Sequence, residues 1–155
     1  MYFSDAVWYD GHLFQSTLEA QYARFFELLG YPYIPHPRPL PGWGPDFEIH
    51  VRCPFTLPCN RIHKLLVECK FFKLTTLFKD TNVARYADSL NSPECTLNGC
   101  DGILLLGHHP FVSWIGWRDY HVGEQRDGLC SWFPKHDLAK HFAKAVEDID
   151  NLPRF

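Results

Sequence analysis

From Asp46 to Cys53 the sequence alternates with a period of two. Phe47, Ile49 and Val51 fall on one side, and Asp46, Glu48, His50 and Arg52 on the other. A pleated strand with one face in the core satisfies that pattern. Slipping it by one residue would turn three large apolar side chains into water, so its register is strongly set. After a predicted turn over Pro54 to Asn60 comes a second strand candidate, His63 to Phe72. There Leu65, Val67, Cys69 and Phe71 share one face, and Leu66, Glu68, Lys70 and Phe72 share the other.

The flanking stretches read as helices and further strands. Ser16 to Leu29 carries Leu18, Tyr22, Phe25 and Leu29 at helical spacing, with Ser16 and Glu19 placed as a capping box and Gly30 and Pro32 as the stop. Tyr31 to Gly44 holds five prolines and two glycines and is expected to be an extended connector with little regular structure. Phe78 to Leu90 reads as a helix and Asn91 to Gly99 as a loop. Gly102 to Gly107 reads as a short buried strand and Phe111 to Val122 as another. Asp137 caps a last helix that turns Leu138, Phe142, Ala145 and Ile149 inward. There is no internal repeat. The order predicts an α/β fold with a central mixed β-sheet flanked by helices, built as a single domain over residues 1–155.

Charge separates along the chain. The net charge is −3, yet His50 to Arg85 holds seven bases and two acids, a local +5 that leaves −8 for the remainder. A basic segment of that kind suits a phosphate-binding face, and equally an ordinary solvated one. Met1 to Asp10 has two acids, no base and no long apolar run, and the longest aliphatic run is Ile103 to Leu106. These features predict a soluble cytoplasmic protein without a membrane span. With no secretory leader in view, the six cysteines are expected to be reduced.

Three features carry chemistry. Pro45-Asp46-Phe47 opens one strand, Val67-Glu68-Cys69-Lys70 lies in the next, and Glu19 sits in the preceding helix. Glu68 and Lys70 project to the same side because they are two residues apart on a strand. If the strands are neighbours, Asp46 faces Glu68. Magnesium prefers oxygen ligands and takes one or two carboxylates while keeping several waters. Asp46 and Glu68 are therefore the expected ligands, with the backbone carbonyl of Cys69 as a third oxygen. Glu19 is a fourth candidate whose rival role is the helix cap. Lys70 is placed to orient or deprotonate a water, or to offset charge on a phosphate.

These stretches resemble the PD-(D/E)XK nuclease superfamily, most of all its small phage and mobile-element members. The likeness runs through Ser16-Thr17-Leu18-Glu19-Ala20-Gln21-Tyr22-Ala23-Arg24-Phe25-Phe26, Gly30, Pro45-Asp46-Phe47, Val67-Glu68-Cys69-Lys70 and Leu104-Leu105-Leu106-Gly107-His108-His109-Pro110. It spans about residues 14–112 and leaves residues 113–155 unassigned. The resemblance implies a restriction-endonuclease-like core. It also implies an endonuclease that hydrolyses DNA phosphodiester bonds with Mg2+ (or Mn2+ in its place), of a homing, restriction or junction-resolving type. Asp46, Glu68 and Glu19 would then be metal ligands and Lys70 the catalytic lysine. A homodimer acting on DNA is implied in the same way. The chain departs from the family pattern at Tyr33-Ile34-Pro35, which lacks the acid expected between the aromatic residue and the proline.

Other readings stand beside it. Cys53, Cys59 and His63 with Cys95 and Cys100 offer zinc ligands, at spacings looser than usual. His108 and His109 read as a loop at a strand end and His121 as structural. Trp114, Trp117 and Trp132 read as core residues more readily than as stacking platforms for bases. A non-catalytic nucleic-acid-binding subunit of a recombination or packaging complex, or a nuclease directed at RNA or single-stranded DNA, are the alternative functions.

Overall fold

The computed structural model describes residues 6–39, 43–52, 62–69, 102–111, 113–117, 124–125, 133 and 137–153. The chain enters as a hairpin of β1 (Val7–Tyr9) and β2 (His12–Phe14), in which Trp8 pairs with Leu13. Asp10 and Gly11 form its two-residue loop, with φ of 52° and 77°. Both values are positive, as a type I′ turn requires, and Asp-Gly is among the sequences that turn favours. The hairpin was not anticipated from the sequence, although that dipeptide between two apolar triplets is a strong short-range signal for one.

Helix α1 (Thr17–Leu29) follows. Ser16 caps it, its Oγ accepting the Glu19 N–H at 3.1 Å, and Gly30 ends it in the left-handed region with φ of 85°. The start and stop are those the sequence predicts. The first is a side-chain acceptor for an orphan N–H, and the second a residue without a Cβ penalty at positive φ. Helix α2 (Leu138–Asp150) is capped by Asp137, whose Oδ1 accepts the Lys140 N–H at 3.1 Å. It buries Leu138, Phe142, Ala145 and Ile149, the four residues expected to face inward.

The sheet has six strands in the order β3 (Tyr33–Pro35), β4 (Phe47–Arg52), β5 (Ile62–Cys69), β6 (Gly102–Leu106), β7 (Ser113–Trp117) and β8 (Glu124–Gln125). Among the described strands only the β5–β6 pair is parallel, so the sheet is mixed, as predicted. On β4 the predicted alternation holds: Phe47, Ile49 and Val51 are fully buried while His50 and Arg52 are exposed.

The proline-rich connector of residues 31–44 is extended where it is described, and three of its residues, Tyr33–Pro35, pair antiparallel with β4. Prolines tolerate this position because an edge strand can leave one side unpaired, where a missing N–H costs no ladder bond. The expected turn over Pro54 to Asn60, the helix over Phe78 to Leu90 and the loop over Asn91 to Gly99 lie outside the described residues.

Both described helices belong to one apolar core with the sheet. Helix α1 is buried almost all round. Leu18, Phe25 and Phe26 join the core that also takes in Val67, Cys69, Leu104 and Leu106 of the central strands. Against α2, the Tyr22 and Phe25 rings meet Phe142 at centroid distances of 5.0 and 5.7 Å. Arg24 Nε binds Asp148 Oδ2 at 2.9 Å, tying the helices at their rim. The Tyr22 hydroxyl, buried, donates to the Gly107 carbonyl at 2.8 Å and so pins α1 to the end of β6. Removing that donor leaves a buried carbonyl short of a partner. Tyr22→Phe is therefore expected to lower stability by about 1–2 kcal/mol in urea denaturation. An unchanged midpoint would show that the bond contributes nothing.

The opposite side of β5 and β6 is buried too. Leu66, Ile103 and Leu105 are at most 5% exposed, although they alternate with residues of the helix-side core. A central strand covered on both faces explains why this stretch of sequence is nearly all apolar. It also makes the one buried acid there, Glu68, conspicuous. Among the described residues, no helix is long and apolar enough to cross a membrane.

Candidate active site

Strand β4 delivers Asp46 to β5. The two strands pair antiparallel from Phe47 opposite Val67 to Arg52 opposite Ile62. Their adjacency, which the sequence could state only as a condition, is thus met. Asp46 lies one residue beyond the last pair, and it is bonded to β5 on both sides of Glu68. Its N–H donates to the Val67 carbonyl at 2.8 Å, and its carboxylate Oδ2 accepts the Cys69 N–H at 2.7 Å.

Glu68 is 5% exposed, and its Oε2 accepts the indole N–H of Trp43 at 2.9 Å. Glu19, 8% exposed, occupies the first turn of α1. Its Oε2 accepts the Gln15 N–H at 3.1 Å, one residue outside the helix cap. The capping role is therefore present, with Ser16 satisfying the Glu19 N–H and Glu19 satisfying Gln15. The same side chain is also close enough to Asp46 to raise its pKa.

Glu68 and Glu19 thus both act on Asp46 at the end of the β4–β5 pair. The Asp46 carboxyl is pushed up to about 9. Burial is the largest cause, followed by the negative charges of Glu68 and then Glu19; the Cys69 N–H pulls the other way. A carboxyl raised by two neighbouring carboxylates marks a place where a positive charge would be stabilised. In that respect the donor set fits a hard divalent cation. Among the described residues, no three His, Cys, Asp or Glu side chains already stand in metal-ligand geometry. Magnesium does not require this, since one or two carboxylates with a backbone oxygen and waters suffice for it.

Of the other expected residues, Cys69 lies at the end of β5, where its N–H is the group that holds Asp46. Lys70 lies outside the described residues, and so do Cys53, Cys59, Cys95 and Cys100 of the zinc alternative, together with His121 and Trp132. His63 is buried on the core side of β5. His108 and His109 do form a loop after β6, as expected. The His109 ring packs on Phe111 and Phe142 at 4.9 and 5.6 Å, and burial, then the charge of His108, lowers its pKa. Most of the basic segment is likewise outside the described residues. Within them, Lys64 binds Glu48 at 3.3 Å and Arg52 is exposed.

Two residues near the acids were not singled out from the sequence. Trp43, 7% exposed, is one. Its indole meets Glu68 across 25 positions, a tertiary contact with no local periodicity to betray it. His36 is the other. It holds a positive φ of 48°, unusual for a residue with a side chain. Its N–H donates to the Asp46 carbonyl at 3.0 Å, while its Nε2 lies 3.1 Å from the Leu13 carbonyl. It thereby ties the backbone of Asp46 to the hairpin that leads into Glu19. Comparison with family models, with curated proteins and with solved structures finds no match.

Proposed function

We propose that this chain is a magnesium-dependent nuclease that hydrolyses DNA phosphodiester bonds, with Mn2+ able to replace Mg2+. The observation that carries the reading is Asp46. It is bonded to β5 on both sides of the buried Glu68, and its carboxyl is raised first by burial and then by the charges of Glu68 and Glu19. A buried acid whose ionisation is suppressed is held at a cost, and a cation offsets that cost. The resemblance to the PD-(D/E)XK pattern points to the same residues.

In this reading Asp46, Glu68 and the Cys69 carbonyl hold the cation and Glu19 completes the acidic set. When bound, the metal lowers the pKa of a water and offsets charge on the phosphate. The chain's own contribution is placement. The Cys69 N–H fixes the Asp46 carboxylate, the Trp43 indole fixes Glu68, and Ser16 with Gln15 fixes Glu19. Lys70, two residues after Glu68 in the sequence, is the proposed catalytic lysine that orients or deprotonates the attacking water. Two copies of such a site would cut two strands, so a homodimer belongs to the proposal.

The experiment is to incubate the protein with linear, circular, single-stranded and branched DNA, with Mg2+, Mn2+ or EDTA. Cleavage with either cation and none with EDTA is expected. DNA that is bound and never cut would instead point to a non-catalytic binding subunit. One further arm separates the two roles of Glu19. Glu19→Gln keeps an acceptor oxygen for the Gln15 N–H, so its Tm should stay close to wild type while cleavage falls. Equal activity would leave Glu19 as a cap alone.

A further inference from the structure

We propose that Trp43 is a positioning residue for this site, and that it biases the site toward magnesium over calcium. The inference rests on the metal-dependent reading above and adds to it a residue and a selectivity.

Trp43 and Glu68 are both buried, and the indole N–H lies 2.9 Å from Glu68 Oε2. An indole N–H can only donate, and a hydrogen bond to a carboxylate is among the stronger kinds. Filling space on that face would need only an aromatic ring. The N–H aimed at the one buried acid of β5 is the additional feature. Trp43 also precedes Asp46 by three residues. One short stretch of chain therefore supplies one acid of the cluster and holds another, so a displacement of that stretch moves both.

The bond has a chemical consequence. A carboxylate with one oxygen held by an indole N–H is disposed to offer a cation its other oxygen singly. Magnesium suits that arrangement, because it demands a tight octahedron of single oxygens. Calcium takes more oxygens and often chelates a carboxylate through both. Asp46 is constrained alike, since its Oδ2 accepts the Cys69 N–H. Both acids thus lean toward one-oxygen ligation.

The test measures cation binding without DNA. Free Mn2+ is followed by its paramagnetic resonance signal, with Mg2+ and Ca2+ as competitors, in wild type and Trp43→Phe. The variant keeps an aromatic side chain, smaller than the indole, and loses the donor. Its Mn2+ dissociation constant is expected to rise about tenfold, as for other groups that orient metal ligands. The ratio of Ca2+ to Mg2+ competition should shift toward Ca2+ by about threefold or more, as expected when a carboxylate regains its second oxygen. A variant that matches wild type in both quantities overturns the inference and leaves the metal site standing. A wild type that binds no Mn2+ overturns the metal site and this inference together.

Should Trp43→Phe fail to fold, wild-type protein with 15N-labelled tryptophan answers the question. The indole N–H resonance displaced most by Glu68→Gln identifies the one facing Glu68. That resonance is expected to shift on Mg2+ addition and to saturate with binding. A resonance that stays put while Mg2+ binds overturns the inference.

Discussion

Glu68→Gln and Lys70→Ala are each expected to reduce Mg2+-dependent DNA cleavage by about 10²–10⁴-fold, the range typical of lost charge stabilisation or lost proton transfer. The two substitutions should fail differently. Glu68→Gln preserves volume and leaves an amide oxygen to accept the Trp43 N–H, so the fold around β5 should persist. It removes the negative charge, so Mn2+ binding should weaken with activity. Lys70→Ala removes no ligand. Its Mn2+ affinity should remain near wild type, or tighten slightly through the loss of a nearby positive charge, while turnover collapses. Cleavage assays alongside Mn2+ titrations separate the two outcomes. If either variant cuts as well as wild type, the residue it alters is not part of the chemistry.

The second expectation concerns stability without metal. The Asp46 carboxyl is raised from its ordinary range to about 9 in the folded protein, first by burial and then by Glu68 and Glu19. In the unfolded chain it titrates near 4. The unfolded state therefore releases this proton more readily. The stabilising contribution of the neutral, folded carboxyl is fully present below about pH 4 and is lost as pH rises toward 9. In EDTA, this group makes the protein less stable across that window with each step upward in pH. Asp46→Asn removes the titration and retains an oxygen that can accept the Cys69 N–H. At pH 8 in EDTA it should be more stable than wild type by about 2 kcal/mol, a Tm rise of roughly 4–8 °C for a chain of this size. Adding Mg2+ should reverse the order, because the cation stabilises the ionised acid in wild type and has lost a ligand in the variant. Thermal melts at pH 5 and pH 8, with EDTA and with Mg2+, test this. A variant that melts below wild type at pH 8 in EDTA would show that Asp46 is not under the pressure its surroundings imply.

What was legible in the sequence is what short-range physics decides. The cap at Ser16, the stop at Gly30, the inward face of Leu138, Phe142, Ala145 and Ile149, and the alternation of Phe47, Ile49 and Val51 depend on residues a turn or a strand apart. The hairpin at Asp10-Gly11 was equally local and equally readable. The types of acid in the candidate site were visible as well, because Glu68 interrupts an apolar strand and Asp46 follows a proline.

Their meeting was not visible. It requires the β4–β5 pairing, with Asp46 bonded to Val67 and Cys69, and that register is set by two apolar faces packing into one core. The edge strand Tyr33–Pro35 depends likewise on β4 being beside it, and Trp43 finds Glu68 only once the chain has closed across 25 positions. The alternating stretch from Asp46 to Cys53 thus determined by itself which side chains are buried, since water decides that locally. Only the tertiary structure decided which acids share a site, because the position of one carboxylate against another is settled by the packing of the elements that carry them.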